Sequence, residues 1–419
     1  MTKYQISSLA SINEKTYSIN TLPEEIEYLE TADICNNQII STTILNKNVD
    51  KIPSRARRSI KKNSIIYSTV RPNLKHYGII LNPGKNLVVS TGFVTIDPNE
   101  QIIYPYYLFL KITEAKITEY LHQIAQTSVS SYPSISSTDI ETLEIDVTHT
   151  LDEQRRIGII FESIQQKISI NTKIFIELES LAKTIYDYWF LQFEFPNEKG
   201  KPYRSSGGKM VWNEALKREV PEGWEVKPIS DIVFSKRETI SHLEIPENGK
   251  YVGLEHIPRK HVILEDYGSP EELESSKVIA KDGDILFGKI RPYFHKVSIT
   301  PWDVYCSSDT LVFNSINEIE YAFSVFTLFS ENFVTFATKC GNNGSKMPRA
   351  EWSSMKDYPV IMPLSKDTVV QFNELILPMI NKMKELVKEN RDLAALRDFL
   401  LPMLMNGQVT FKDEKECPA

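Results

Sequence analysis

"NSIIYSTVRPNLKHY" at residues 63–77 and "GDILFGKIRPYFHKV" at residues 283–297 are nearly one phrase written twice in the same chain, at an offset of 220. In each copy a β-rich run leads into Arg-Pro, and a Lys and a His follow within a few residues. Other pairs keep the same order. "QISSLASI" (5–12) lies over "PISDIVFS" (228–235), and "YLETADI" (28–34) over "YVGLEHI" (251–257), both at offset 223. "SYPSISSTDIETLEI" (131–145) lies over "KMPRAEWSSMKDYPV" (346–360), and "ELESLAKTI" (177–185) over "DLAALRDFL" (392–400), both at 215. Chance similarity between β-rich stretches explains any one pair. The common order, with offsets drifting by only a few residues, is what a duplicated unit with small indels leaves. A period of about half the chain is too long for a solenoid, so the reading is two tandem domains.

At 419 residues, 41% hydrophobic and 25% charged, the chain is long enough for two or three domains with cores of their own. Cys35, Cys306, Cys340 and Cys417 are scattered with no CxxC pair, which argues against a zinc site and a disulfide framework. That usage suits a reducing cytosol. "MTKYQISSLASINEK" has no hydrophobic signal region, and no apolar run approaches membrane length. The expectation is a cytoplasmic protein with no membrane partner.

The strongest periodicity lies between the repeats. Stepping alternately four and three residues gives Ile157, Phe161, Ile164, Ile168, Asn171, Phe175, Leu178, Ala182, Ile185 and Trp189. This 3.5-residue period describes a helix lying along another helix as a coiled coil. Thr150 as N-cap with Glu153 three residues on supplies a capping box. The second copy runs Phe372, Ile376, Met379, Met383, Leu386, Asn390 and Leu393, then Leu396 and Leu400, after the capping stretch "LSKD". Pro378 inside it predicts a bend or a local break. Helices of roughly 35–40 residues span about 50–60 Å. One small domain cannot bury so long a stripe, so the two helices are expected to pair. A pseudo-twofold relation between the repeats makes them antiparallel, with the globular parts at opposite ends.

The net charge of −7 argues against nucleic acid on first reading, but the distribution does not. Residues 51–96 contain no Asp or Glu and carry Lys51, Arg55, Arg57, Arg58, Lys61, Lys62, Arg71, Lys75 and Lys85. Shorter acid-free windows in the second repeat are 285–302, with Lys289, Arg291 and Lys296, and 332–350, with Lys339, Lys346 and Arg349. Charge runs are usually solvated faces. A run this long in so acidic a chain fits phosphate contact better. For Arg71 and Arg291 the competing reading is a strand end paired to a local carboxylate.

In "ATKCGNNGSKMPRAEW" (337–352), Asn342 and Asn343 stand among Lys339, Lys346 and Arg349; Asn and Arg are the side chains that read adenine and guanine edges. The counterpart "QTSVSSYPSIS" (126–136) offers Ser130, Ser131 and Tyr132 for phosphate or base hydrogen bonds. A Gly-Asn loop by itself is ordinarily a turn.

Catalytic signatures are missing. There is no Gly-x-Gly-x-x-Gly, P-loop or His-Glu-x-x-His, and Asn82-Pro83 is followed by Gly84 where an amino-methyltransferase has a second Pro and an aromatic. The histidines do not cluster, and His256 and His261 straddle Pro258 at a poor metal spacing. No catalytic, metal or cofactor site can be named.

Tandem repeats that each end in a long helix, "YVGLEHI", "GDILFGKIRP" and "LLPMLMNGQV" (400–409) together resemble the specificity subunit of a type I restriction–modification system. The stretch "FEFPNEKGKPYRSSGGKMVWNEALKREVPEGWEV" (193–226) is similar to that family's central connector. The resemblance covers essentially the whole chain and implies an α+β architecture. Two target-recognition domains, 1–148 and 222–364, each a twisted mixed β-sheet with helices, would be joined by two long antiparallel helices at 149–192 and 365–402. A connector at 193–221 and a tail at 403–419 complete it. The resemblance further implies a non-catalytic subunit that reads a bipartite, asymmetric double-stranded DNA site. Its helices would serve as ruler and as dock for two modification (methyltransferase) subunits. S-adenosylmethionine, ATP and Mg belong in that picture to those partners and to restriction/translocase subunits, not to this chain. The connector's aromatic residues Phe193, Phe195, Trp212 and Trp224 fit contact with the helices. The alternatives are a coiled-coil scaffold with no DNA role, which the basic 51–96 run opposes, and a self-sufficient methyltransferase or nuclease, which the missing cofactor motif opposes.

Overall fold

The computed structural model describes residues 3–128, 132–214, 216–271, 273–341 and 347–411. The chain falls into two compact units, Met1–Ser169 with Leu393–Ala419, and Ile170–Asp392. Each unit takes a share of both long helices.

In the first unit, "SIIYS" at Ser64–Ser68 is buried at every position, as a central strand covered on both faces must be. It lies in an antiparallel sheet of order Ala10–Ile12, Phe93–Pro98, Ser64–Ser68, Tyr77–Ile80. A second sheet runs Thr43–Asn46, Glu25–Leu29, Leu87–Ser90, Ala56–Ser59, with its middle pair parallel. Lys3–Gln5 pairs with Glu144–Asp146 at the edge of the unit's chain path. The helices Pro105–Ile112 and Ala115–Gln126 cover the first sheet, and Tyr67, Tyr77, Phe109 and Leu121 meet in the core between them.

The second unit repeats the main strands of this plan. Val233–Lys236, Thr310–Ser315, Ile285–Gly288 and Val297–Ile299 form the antiparallel sheet, and Trp224–Pro228 pairs with Pro359–Pro363. Thr239–Ile240, Lys277–Ala280, Val304–Cys306 and Tyr251–Val252 form the mixed one, again with a single parallel pair. The helices Tyr321–Phe329 and Glu331–Cys340 stand where the first unit has Pro105–Ile112 and Ala115–Gln126. The fold is therefore α+β and duplicated. The expected mixed sheet is built as two four-stranded sheets in each unit. Among the described residues Thr43–Asn46, on the outer side of Glu25–Leu29, and the hairpin Ile34–Cys35/Gln38–Ile39 are strands of the first unit without a counterpart in the second, and Thr239–Ile240 pairs where the first unit has the single bridge Thr16–Arg58.

The long helices span Leu151–Tyr186, extended by a π-helical turn Asp187–Leu191, and Asp367–Met405. The capping box is present: Thr150 N donates to Glu153 Oε2 at 2.8 Å and Glu153 N to Thr150 Oγ1 at 3.3 Å. Within the second unit the helices run antiparallel. Asn171 Nδ2 donates to Asn390 Oδ1 at 3.0 Å, while Tyr186, Trp189 and Phe190 pack their rings on Phe372. Within the first unit Ile157 and Phe161 share a core with Leu404 and Met405.

The seam follows the expected positions through Ile164, Ile168, Asn171 and Phe175, then departs from them. Leu178 is only half-buried, and the buried line continues through Glu179, Ala182, Tyr186 and Phe190. A straight helix of 3.6 residues per turn drifts by about 20° per heptad, which moves the seam by one residue over this length. On the second helix Ile376, Met383 and Leu386 are buried and Ile380 joins them, Asn390, Leu393 and Leu400 are half-buried, and Leu396 is exposed, against expectation. The helix also runs unbroken through Pro378. Glu374 and Pro378 both face solvent, so water can serve the carbonyl that the proline leaves without a donor.

Candidate nucleic-acid interface

The twice-written phrase folds into the same turn twice. Arg71 has φ 49° and ψ 68°, Pro72–Leu74 form a 3-10 turn, and Lys75 closes it with φ 55° and ψ 36°. Arg291 has φ 51° and ψ 65°, Pro292–Phe294 form the turn, and His295 closes it with φ 53° and ψ 52°. These are left-handed conformations on residues with bulky side chains, which cost about 1–3 kcal/mol each and persist only where the surroundings over-determine them. A following Pro disfavours the right-handed helical alternative for each arginine.

The surroundings are also the same twice. Arg71 N donates to Pro133 O at 3.0 Å, and Arg291 N to Pro348 O at 2.9 Å. Val70 bridges to Ser134, and Ile290 to Arg349. Each strained turn is thus pinned to the loop that carries the polar stretch singled out in the sequence. Two signals far apart in the chain become one surface in each unit.

The cations on that surface divide by what already holds them. In the first unit Lys62, Arg71 and Lys75 are exposed and meet no carboxylate among the described residues. Arg71 lies 5.3 Å from the ring centroid of the exposed Tyr132. Lys61 is ion-paired to Glu14 at 2.9 Å. Arg57 donates to the carbonyl of its neighbour Ala56, and Arg58 to Thr16 Oγ1 at 3.0 Å; burial pushes the Arg58 guanidinium down. These three serve the sheet edge.

The second unit binds more of its charge internally. Lys289 Nζ donates to Ser308 O at 2.6 Å, Lys296 Nζ to Leu254 O, and Arg349 pairs with Asp309 at 2.7 Å and Glu351 at 3.5 Å. Burial pushes the Lys289 ammonium down; burial and then the charge of Arg259 do so for Lys296. Arg291 meets no carboxylate among the described residues, so the local ion pair that competes with DNA contact is absent for both arginines. Ser130, Ser131, Asn342, Asn343 and Lys346 lie outside the described residues.

Sequence reading missed Arg259, whose guanidinium sits 4.0 Å from the Phe294 ring centroid. A search for acid-free windows passes over it because Glu255 and Glu265 flank it. Of the connector aromatics, Phe193, Phe195 and Trp224 pack together and Trp224 reaches Phe190 at the end of the first long helix. Trp212 does not join them; it stands exposed on the hairpin Met210–Asn213/Arg218–Pro221. Among the described residues no group of His, Cys, Asp and Glu could hold a metal, and no helix is long and apolar enough to cross a membrane.

The profile of the family described as "Type I restriction modification DNA specificity domain" matches residues 1–180 and 221–377. The specificity subunit of the type I restriction enzyme HindI from Haemophilus influenzae is 24% identical, covering 97% of this chain and 99% of that one. The MjaIX specificity subunit from Methanocaldococcus jannaschii is 26% identical, covering 93% of this chain and 88% of its own length. The crystal structure of the type I restriction–modification S subunit from M. genitalium superposes with a TM-score of 0.61 at 16% identity, over 98% of this chain and 96% of that one. With the duplicated fold and the matched recognition units, the chain belongs to the family of type I restriction–modification DNA specificity subunits.

Proposed function

We propose that the chain reads a bipartite, asymmetric site on duplex DNA, one half with each recognition unit, and carries no catalytic step itself. Residues 1–148 and 222–364 do the reading, and 193–221 connect them. One observation carries this: the strained Arg-Pro turn, pinned to a polar loop, occurs in both units with the same torsion angles and the same hydrogen bond. Strain kept twice at a cationic surface is accounted for by an anionic partner that both units meet.

The long helices (149–192 and 365–402) provide the dock for two modification subunits, which supply S-adenosylmethionine and methylate adenine. Restriction/translocase subunits that use ATP and Mg complete the assembly in the cytoplasm. Exposed apolar side chains support the docking role. In the second unit Ile170, Ile174, Ile176 and Leu181 are open on the first long helix; in the first unit Ile159 is open on the first long helix and Leu396 and Phe399 on the second. Rows of large apolar residues on helix surfaces mark protein interfaces.

The test is to map methylated adenines in a genome where the chain is co-expressed with its modification subunit. Exchanging 222–364 for the matching segment of a relative should change one half of the site and leave the other intact. Loss of both halves together overturns the modular reading, and methyl transfer by the purified chain alone overturns the subunit reading.

A further inference from the structure

We propose that Arg259 and Arg291, carried on the ring of Phe294, form a two-guanidinium clamp for a backbone phosphate of the DNA in the second unit. This deepens the DNA-binding reading and rests on it.

The Phe294 ring takes Arg259 at 4.0 Å and Arg291 at 5.9 Å from its centroid. The two cations are therefore no farther apart than about 10 Å, one Debye length at 0.1 M salt, and they repel. Neither is ion-paired to a carboxylate among the described residues; the nearby Glu255 sits 3.5 Å from His256. Arg291 Nε is buried with no hydrogen-bond partner among the described residues, so part of its donor capacity is unspent. The backbone beneath it is held in the left-handed region by the Arg-Pro turn.

Guanidinium groups tolerate such stacking because they are weakly hydrated, and their planar forks match phosphate oxygens. Phe294 is itself wedged against the exposed ring of Tyr293 at 4.9 Å, edge to face. One ring therefore gathers both forks. A phosphodiester between them removes the repulsion. The first unit has no counterpart on its turn, where Leu74 takes the place of Phe294 and Arg71 stacks instead on Tyr132. The clamp should accordingly strengthen one half-site only.

The experiment uses the complex of the full chain with its modification subunits. Affinity is measured over a salt series for a random-sequence duplex and for a duplex containing the mapped methylation site. Arg259→Gln should weaken binding roughly tenfold on both duplexes and lower the salt slope by about one. Phe294→Leu, which keeps both charges and removes the platform, should give a smaller loss on both. Arg259→Lys should keep the slope and serves as the folding control. Unchanged affinity and slope for Arg259→Gln, with wild type binding normally, overturn the clamp alone. A changed methylation sequence with an unchanged slope overturns it in favour of a base contact. Wild-type complex that fails to bind either duplex overturns the DNA-binding reading on which the clamp rests.

Discussion

The two recognition units share one strand plan and differ in what roots the long helices in them. In the second unit the roots are aromatic and polar. Tyr186, Phe190, Phe323, Phe326 and Phe372 pack ring on ring, and Asn171 bonds across the helix pair to Asn390 and Glu389. Glu179 adds a buried anchor, accepting from Val262 N and His261 Nδ1. In the first unit Ile157, Phe161, Leu404 and Met405 share their core with Tyr106, Tyr107 and Phe109, and the buried polar contacts there include Tyr106 Oη to Phe161 O at 3.4 Å and Lys111 Nζ to Met405 O at 3.5 Å. The lesson is that duplication preserved the sheets, where backbone pairing dictates geometry. It let the helix junctions diverge, because any well-filled packing there suffices.

Breaking the richer junction should cost most. Phe372→Ala should destabilise the chain by about 3–5 kcal/mol, read by chemical denaturation, because it removes a fully buried ring that touches four others. A loss under about 1 kcal/mol would show that the cluster collapses around the gap and that the contrast between units is not energetic.

Asn171→Leu should cost about 2 kcal/mol by leaving Asn390 and Glu389 without their shared donor. Replacing Asn390 by Leu as well should recover stability while loosening helix register, visible as a mixture of assemblies on native mass spectrometry.

The cationic surfaces give the next contrast. Lys75 is exposed, whereas Lys289 is bonded to Ser308. In the assembled complex Lys75→Ala should weaken DNA binding roughly tenfold with a salt slope lower by about one, and Lys289→Ala should change the slope far less. Equal slopes for the two would mean that the internal bond at Lys289 does not compete with phosphate.

At Arg71 the usual ranking of substitutions should invert. Gly accepts φ 49° without strain, so Arg71→Gly should be more stable than Arg71→Ala by about 1 kcal/mol, and the same order should hold at Arg291. Thermal melts of the four variants decide it.

The smallest effect is a pH dependence confined to the second unit. The bond to Glu179, opposed by burial, raises the His261 imidazole above its ordinary 6.5. Burial works to raise Glu179, but the bonds from His261 and Val262 hold it below the usual range. Because the folded value of His261 is raised, its stabilisation is complete below pH 6.5 and is lost as pH rises through the folded value. The stability difference between wild type and His261→Gln should therefore shrink above pH 6.5, from below about 1 kcal/mol given the half-exposed ring. A difference that is flat with pH would remove the charge from this contact.

Much of this molecule was legible in one dimension. Register along the chain carried the duplication, and the 3.5-residue period carried both long helices with their cap at Thr150, since capping and periodicity are local properties. The acid-free run singled out Lys62, Arg71 and Lys75, all of them exposed. What only the tertiary structure decided was partnership. Lys61 and Arg349 read as free cations until Glu14 and Asp309 arrived from connecting segments distant in the chain. Arg259, passed over because Glu255 and Glu265 flank it, folds onto Phe294. The seam beyond Phe175 turned on accumulated helical twist, and Glu179 could be buried only because Val262 and His261 come to meet it. Sequence sets which groups exist and how they repeat. A charge acquires its role only when folding brings or withholds its counter-charge, because that energy depends on distances in space that the order of residues does not contain.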